Sequence, residues 1–122
     1  MTRIRNRPEE ALQRSVAQYL DIALPKSAEW FAIPNGFKRT KAEAGIARAT
    51  GQKAGVPDIE IIHRGRAIFI ELKAPGRKLS ERQHETTRSL VKAGAYVAMC
   101  SSLSEVEEYL SAFMPLRGKL AA

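Results

Sequence analysis

Apolar residues recur at helical spacing in some parts of the chain and form short runs in others. Near the start, apolar positions three to four residues apart predict an amphipathic helix over residues 8–23. Three later segments have the form of a capping box, in which a serine or threonine precedes a glutamate or glutamine by three positions. They predict further helices, each running from its capping residue to the glycine or proline that should end it: Thr40 to Gly51, Ser80 to Gly94, and Ser104 to Pro115.

Short apolar runs bounded by turn residues predict the strands, at residues 30–33, 58–63, 67–73 and 96–100. The predicted order is therefore α, β, α, β, β, α, β, α, which is typical of an α/β fold with a mixed β-sheet flanked by helices. A chain of 122 residues should bury roughly 65% of its unfolded surface, enough for one core. We expect a single domain over residues 1–122, with residues 1–7 as a basic flexible arm.

The two middle strands flank Arg64-Gly65, and this spacing predicts a β-hairpin. With these two residues as the loop, Asp58 lies opposite Glu71, and opposed residues place their Cβ atoms about 4.5–5.5 Å apart on one face. Lys73 follows Glu71 by two positions and lies on the same face. Such a cluster suits a divalent metal bound by carboxylates, with a lysine beside it. A cross-strand salt bridge between Lys73 and one of the carboxylates explains this cluster equally well. The hairpin alone does not decide between a metal site and a salt bridge.

Charge and cysteine content narrow the classes of function. Twenty Lys and Arg against thirteen Asp and Glu give a net charge of +7, which favours a polyanionic partner, with a solvated basic surface as the plainer alternative. Cys100 is the single cysteine, so an intrachain disulfide is excluded, and with two histidines a Cys/His zinc site is nearly excluded. The longest strongly apolar run, residues 95–100, is too short to span a membrane, and the N-terminus has no secretory pattern. We expect a cytoplasmic location.

Motifs around the hairpin carry a family resemblance. Gly55-Val56-Pro57-Asp58, followed after twelve residues by Glu71-Leu72-Lys73, resembles the PD-(D/E)XK nuclease signature. Further segments extend the match: Ile33-Pro34-Asn35-Gly36, Ile59, Phe69-Ile70, Ala74-Pro75-Gly76, Leu79-Ser80 and Gln83. In this order, over residues 8–104, the chain resembles the VRR-NUC family of virus-type replication–repair nucleases. The resemblance implies a restriction-endonuclease-like core.

The resemblance also implies a role for each matching site residue. Asp58 and Glu71 would bind the metal, with the backbone carbonyl of Leu72 as a further ligand. Lys73 would orient or activate the attacking water and offset charge that develops on the phosphate. The hard oxygen ligands favour Mg²⁺ or Mn²⁺ as the cofactor. Gln83 matches a glutamine that lies near the site in the family, and its place in the Ser80 capping box is an equally good explanation of it.

A glutamate on the first helix usually completes the site in this family. Glu9 and Glu10 both qualify. Glu9 is preferred as the catalytic and metal-binding candidate, because family members tend to place the acid three residues before the apolar residue that matches Leu12. A carboxylate at the positive end of a helix dipole is the alternative role for it.

Basic residues lie on both sides of the predicted metal-binding hairpin. We expect the two groups to contact the phosphate backbone of DNA, although a solvated charge is the plainer explanation of each one taken singly. The groups are Lys38, Arg39, Lys41, Arg48 and Lys53 before it, and Arg77, Lys78 and Arg82 after it.

These features predict a Mg²⁺- or Mn²⁺-dependent DNA endonuclease. By resemblance, such a small domain is similar to phage or prophage enzymes, active in a bacterial host cell, that cut branched DNA such as four-way (Holliday) junctions. Resolving a junction takes two symmetric cuts, which favours a homodimer. The alternatives are a non-catalytic DNA-binding module with a nuclease fold and a restriction-type duplex nuclease.

Several other residues are expected to be structural. Trp30, Phe31 and Cys100 are expected in the core, and His63 and His84 at the surface or in the hairpin. The apolar C-terminal residues would either pack on the sheet or form a dimer interface: Val106, Tyr109, Leu110, Phe113, Met114 and Leu116.

Overall fold

The computed structural model describes residues 7–34 and 40–118. Within these ranges the predicted elements are present in the predicted order. They are α1 (Arg7–Ala23), β1 (Ala28–Ala32), α2 (Lys41–Ala49), β2 (Ile59–His63), β3 (Arg66–Leu72), α3 (Glu81–Lys92), β4 (Tyr96–Cys100) and α4 (Leu103–Ser111). None of the helices in the described ranges combines the length and the apolar character that crossing a membrane requires.

The strands form one mixed sheet in the order β1-β2-β3-β4. The first two pairings are antiparallel, and β3 pairs with β4 in parallel. A parallel pair needs a crossover connection, and α3 lies in the segment that provides it. The mixed sheet with its flanking helices confirms the predicted fold class.

The β2–β3 hairpin has the predicted register, in which His63 pairs with Arg66 and Ile59 pairs with Ile70. Both loop residues have positive φ, 50° for Arg64 and 80° for Gly65. Positive φ at both positions is the requirement of a type I′ turn, whose twist matches the strands that it joins. The paired residues end at Ile59, so Asp58 lies directly before the strand.

The apolar core lies on one face of the sheet and is closed by α1 and α4. Side chains alternate along a strand, so every second residue of β2 and β3 points into this core. The central buried side chains are Ile59, Ile61, Ile68, Ile70 and Leu72 from the hairpin, with Val16, Leu20, Val106 and Leu110 from the helices. Cys100 is buried among them, as predicted. Glu71 lies between Ile70 and Leu72 and therefore faces away from this core.

The apolar C-terminal residues belong to the same core. Val106 and Leu110 are fully buried and Met114 is 4% exposed. Phe113 makes edge-to-face contacts with Tyr96 and Tyr109. The structure thus confirms that this segment packs on the sheet, and its apolar side chains are used inside the domain.

Helix α4 begins earlier than predicted. Its N-cap is Ser102, whose Oγ accepts a hydrogen bond from the Glu105 N–H at 3.1 Å, so the prediction of Ser104 as the cap was wrong. The capping pattern occurs twice in this segment, and a local pattern cannot choose between the two serines. The earlier start brings Leu103 into the helix, where it packs against the core with Val106.

Further boundaries differ from the predicted ones. Helix α1 begins at Arg7, so the last residue of the predicted arm belongs to the helix, while residues 1–6 lie outside the described ranges. Strand β1 covers Ala28–Ala32, so it begins two residues earlier and ends one residue earlier than predicted. Strand β3 covers Arg66–Leu72 and is shifted by one residue toward the N-terminus.

Alternation along β1 separates its two aromatic residues. Trp30 packs against the core, and its Nε1 donates a hydrogen bond to Asp21 Oδ1 at 2.9 Å. Phe31 lies on the other face and is 47% exposed, so its expected place in the core was wrong. His63 ends β2 in the hairpin but is 3% exposed, and its Nε2 lies 3.0 Å from Ser27 Oγ. His84 is exposed, as predicted.

Candidate active site

Asp58 and Glu71 lie at one end of the hairpin, where β2 begins and β3 ends. Asp58 Oδ2 accepts a hydrogen bond from the Leu72 N–H at 2.8 Å. The Asp58 carbonyl accepts another from the Ile33 N–H at 2.7 Å, which ties this residue to the chain after β1 as well. Glu71 is 5% exposed although it carries a carboxyl group. The hairpin thus brings together the two carboxyl groups that the register predicts.

Lys73 is the basic partner of this pair. Its Nζ lies 3.9 Å from Glu71 Oε2, and both side chains are largely buried. The Lys73 N–H donates to the Cys100 carbonyl at 3.1 Å, which extends the pairing of β3 with β4 and holds the lysine backbone in place. The structure therefore contains the Lys73 salt bridge, and it contains the second carboxylate beside it.

Gln83 makes both of the contacts that the sequence left as alternatives. Its Oε1 and N–H complete the capping box with Ser80 at the start of α3, at 2.8 and 3.1 Å. Its Nε2 donates to Glu71 Oε2 at 2.9 Å. The Gln83 amide can make both contacts because its oxygen is an acceptor and its nitrogen is a donor. The cap thereby orients the donor toward the carboxylate.

The structure separates Glu9 from Glu10. Glu9 Oε2 accepts a hydrogen bond from the Ala74 N–H at 3.3 Å, just beyond Lys73. Glu10 lies instead 3.6 Å from Arg14 in an exposed pair on the same helix. Glu9 therefore faces the acidic cluster and Glu10 does not, although metal binding by Glu9 stays a prediction.

The surroundings of Glu71 favour its protonated form. The pKa of Glu71 is raised from its usual 4.5 to about 8, chiefly by burial and also by the charges of Asp58 and Glu9, while Lys73 and the hydrogen bond from Gln83 act to lower it. Burial has the largest effect because a carboxylate loses its hydration there. Perturbed carboxyl groups of this kind occur preferentially at functional sites.

The donor set fits a hard divalent cation with few protein ligands. In the part of the chain that the structure describes, no three histidine, cysteine or acidic side chains form a group that could hold a metal ion. The candidate ligands are therefore the carboxyl groups of Asp58 and Glu71 and the backbone carbonyl of Leu72, which lies between Glu71 and Lys73 along the chain. Mg²⁺ commonly binds through one or two carboxylates and completes its octahedron with water and substrate phosphates. Asp58 and Glu71 are therefore the residues that would hold Mg²⁺ or Mn²⁺.

Three of the predicted DNA-contacting residues line one groove. Arg48, Lys53 and Arg82 border an open groove of about 870 Å³ between α2, the segment 50–57 and α3. Arg82 also lies 3.7 Å from Glu85 in an exposed ion pair. The segment 50–57 leads directly into Asp58 along the chain, although Asp58 and Glu71 do not themselves line the groove.

Three of the other predicted DNA contacts lie in the described ranges and do not line this groove. Lys41 is exposed at the start of α2, and Arg77 and Lys78 are exposed in the connection between β3 and α3. Lys38 and Arg39 fall outside the described residues.

Sequence reasoning missed the polar residues of the groove wall. Gln52, Thr86 and Ser89 line it together with the basic residues. Thr86 Oγ1 donates a hydrogen bond to the Ala54 carbonyl at 3.1 Å, across 32 positions of the chain. A threonine inside a helix carries no local signal of such a contact. The glycine of the motif before Asp58 is the one feature that could have indicated a close approach here.

Comparison with known proteins identifies the family. The chain matches the family described as "VRR-NUC domain" over residues 4–103. One solved structure, a VRR_NUC domain protein, superposes with a TM-score of 0.69 at 19% identity and covers 91% of each chain. Another, a VRR_NUC domain, gives a TM-score of 0.60 at 18% identity, covering 88% of this chain and 98% of the other. Comparison with curated proteins gives no match.

The two structural likenesses show that the fold is shared. The family match covers most of the chain, including Asp58, Glu71, Lys73 and Gln83. It supports a nuclease-type domain with the predicted α/β core. The chain therefore belongs to the VRR-NUC domain family.

Proposed function

We propose that this protein is an endonuclease that hydrolyses phosphodiester bonds of DNA with Mg²⁺ or Mn²⁺ held by Asp58 and Glu71. The observation that carries the proposal is the buried Glu71 carboxyl group, which contacts Lys73 and Gln83 and lies beside Asp58. Burying Glu71 beside a second acid is unfavourable for stability, because Glu71 loses hydration and Asp58 repels it. A divalent cation bound between the two acids would compensate for both effects.

The side chains around the acids are arranged for phosphate hydrolysis. A bound Mg²⁺ or Mn²⁺ supplies Lewis acidity toward the phosphate and lowers the pKa of a coordinated water. The Leu72 N–H orients Asp58, and the Gln83 amide orients Glu71. The Lys73 ammonium group orients the attacking water and offsets negative charge on the phosphate. Glu9, held by the Ala74 N–H, is proposed as the third acid of the site.

The substrate path is proposed to follow the basic groove. Arg48, Lys53 and Arg82 line it, and phosphate contacts of this kind position a nucleic acid without reading its sequence. Lys41, Arg77 and Lys78 are proposed as further phosphate contacts at the edges. This arrangement suits recognition of DNA shape better than recognition of a base sequence.

Branched DNA and a homodimer are proposed together. The chain offers one acidic cluster in its described ranges, centred on Asp58 and Glu71, whereas a four-way junction requires two symmetric cuts. A two-fold dimer supplies two clusters in matching orientations. Sedimentation equilibrium at micromolar concentration should therefore give the mass of two chains. A single-chain mass at all concentrations, with full junction cleavage, would rule out the dimer as the working form.

The decisive experiment is a cleavage panel with matched variants. Single-stranded, duplex, flap and four-way-junction DNA are incubated with the protein and Mg²⁺, Mn²⁺ or EDTA. We expect metal-dependent cleavage that is fastest on the junction, and its loss in Asp58→Asn, Glu71→Gln and Lys73→Ala. Two variants serve as matched controls. Glu60→Gln changes an acid on β2, two residues after Asp58, and Lys92→Ala changes an exposed lysine at the end of α3.

The panel also separates the rival functions. A non-catalytic binding module would bind DNA but leave every substrate intact at all metal concentrations. A restriction-type nuclease would cut a linear duplex faster than a junction. Wild-type rates in Asp58→Asn or Glu71→Gln would refute the assignment of the site.

A further inference from the structure

Gly55 lies where the segment before Asp58 meets the backbone of α3. Its φ is +81°, and a Cβ built on it would lie 2.7 Å from the Arg82 carbonyl oxygen and 2.9 Å from the Arg82 carbonyl carbon. These atoms belong to a helix, so they cannot move aside as a flexible side chain can. The position therefore requires glycine for two reasons, the left-handed backbone and the direct contact with α3.

A hydrogen bond fastens the same junction. Thr86 Oγ1 donates to the Ala54 carbonyl at 3.1 Å, and the same oxygen would lie 2.8 Å from a Cβ on Gly55. The segment and the helix are thus joined at two adjacent residues. Gly65 has nearly the same φ, +80°, but nothing lies within 4 Å of a Cβ built there. The close approach, rather than the φ angle, is what distinguishes Gly55.

The junction connects the supports of both acids. Three residues after Gly55, Asp58 binds the Leu72 N–H. One residue after Arg82, Gln83 binds the carboxyl group of Glu71. Glu71 and Leu72 are consecutive, so a short stretch of β3 is held by two side chains. The chain segments that carry them approach each other closely at Gly55 and Arg82.

We infer that Gly55 is a positioning residue, which sets the spacing between Asp58 and Gln83 and so aligns the two carboxylates of the candidate site. The inference rests on the proposed function for its catalytic consequence. Its structural part concerns only the contact between the segment before Asp58 and α3. A methyl group at position 55 separates that segment from the helix and moves Asp58 relative to Glu71.

The test compares Gly55→Ala with Gly65→Ala, which carries the same strain of a positive φ without the contact. The first readout is the NMR resonance of the Leu72 amide proton in metal-free protein, with Asp58→Ala, which removes the accepting oxygen, as the reference for loss of its hydrogen bond. We expect Gly55→Ala to move this resonance toward the Asp58→Ala position, and Gly65→Ala to leave it unchanged. An unchanged resonance in Gly55→Ala overturns the inference.

The second readout is binding and turnover well below the melting temperature of each variant. We expect Gly55→Ala to weaken Mn²⁺ binding and to lower kcat by about a hundredfold, as for a misplacement of about 1 Å, with KM for DNA nearly unchanged. Gly65→Ala should match the wild type in Mn²⁺ binding, in kcat and in KM for DNA. Equal losses in both variants, or a loss confined to KM, would overturn the positioning role.

A gentler pair of variants covers the case in which Gly55→Ala does not fold. Thr86→Val removes the hydroxyl group that binds the Ala54 carbonyl, and Thr86→Ser keeps it. We expect Thr86→Val to move the Leu72 resonance and weaken Mn²⁺ binding, and Thr86→Ser to preserve both; wild-type values in Thr86→Val overturn the inference. If the wild type binds Mn²⁺ but cuts no DNA, the proposed function fails, while the Leu72 resonance still decides the positioning role.

Discussion

Glu71 is the residue at which burial and charge conflict most strongly. The residue is 5% exposed, and its carboxyl group lies 3.9 Å from the Lys73 ammonium group. Asp58 and Glu9 both act on it as like charges. A single lysine therefore does not compensate two or three carboxylates, and the protonated form of Glu71 is favoured.

The first prediction concerns stability of the metal-free protein. A raised pKa in the folded state contributes stability that is complete below the usual 4.5 and is lost as the pH rises through about 8. Between pH 5 and pH 9, we expect the unfolding free energy of the wild type to fall by on the order of 1–4 kcal/mol relative to Glu71→Gln. Urea denaturation in EDTA at several pH values measures this difference.

The comparison needs a control variant at another acidic residue and a second set of measurements with added metal ion. Glu60→Gln, on β2, should keep the pH dependence of the wild type. Added Mn²⁺ should raise the melting temperature of the wild type and not that of Glu71→Gln, because a ligand of the native state stabilises it. Parallel pH profiles for wild type and Glu71→Gln would contradict the prediction.

The second prediction separates the two roles of Gln83. Gln83→Glu keeps a capping-box residue at this position but replaces the donor to Glu71 by a carboxylate. We expect single-turnover cleavage to fall about 10–100-fold, the range found for residues that orient metal ligands. Ser80→Ala should instead lower stability by about 1 kcal/mol and leave cleavage intact. If Ser80→Ala lost as much activity as Gln83→Glu, the cap rather than the donor would be the important feature.

At the scale of elements, the ends of helices and strands position the site. The acids lie where β2 begins and β3 ends, Gln83 lies in the first turn of α3, and Glu9 lies in the first turn of α1. Each of these ends is held by side-chain or backbone hydrogen bonds, so the side chains start from defined backbone positions. Helix α4 lies on the core face and takes no part in the site.

The third prediction tests where α4 begins. Ser102→Ala removes the oxygen that accepts from the Glu105 N–H and should lower the unfolding free energy by about 1 kcal/mol. Ser104→Ala changes an exposed residue in the first turn and should alter stability by less than about 0.5 kcal/mol. Urea denaturation of both variants decides which serine is the cap, and the reverse order would place it at Ser104.

At the scale of the whole molecule, the chain has a net charge of +7, and Arg48, Lys53 and Arg82 line one groove. This groove includes part of the segment 50–57, which continues along the chain into Asp58. A concave basic surface attracts a polyanion, whereas the acids repel it. On the proposed DNA path, the groove would offset the repulsion between the acidic cluster and the phosphates.

The fourth prediction follows from counterion release. Arg48→Ala, Lys53→Ala and Arg82→Ala should each weaken DNA binding and reduce the slope of log K against log salt by about 1. Fluorescence anisotropy in EDTA at four salt concentrations measures both quantities. The matched controls, Lys26→Ala and Arg66→Ala, remove exposed charges away from the groove and should change the slope much less. Equal effects in both sets would show that net charge alone governs binding.

The order of the elements, the hairpin register and the identity of the central acids could all be predicted from the sequence. Capping patterns, apolar spacing and the loop between β2 and β3 are local, so the residues that decide them are neighbours in the chain. The placement of Asp58 near Glu71, with Lys73 on the same face, followed from the alternation of side chains along paired strands. The motif around these residues then indicated the family that the comparisons show.

Only the tertiary structure decided what depends on contacts between distant segments. The resemblance already favoured Glu9 over Glu10, but the contact that separates them is a hydrogen bond across 65 positions. The double role of Gln83 comes from the packing of α3 beside β3. The burial of His63, the exposure of Phe31 and the contact of Gly55 with Arg82 are of the same kind. Local patterns indicate which residues are able to form such contacts. The packing of the helices against the sheet determines which of these residues come into contact.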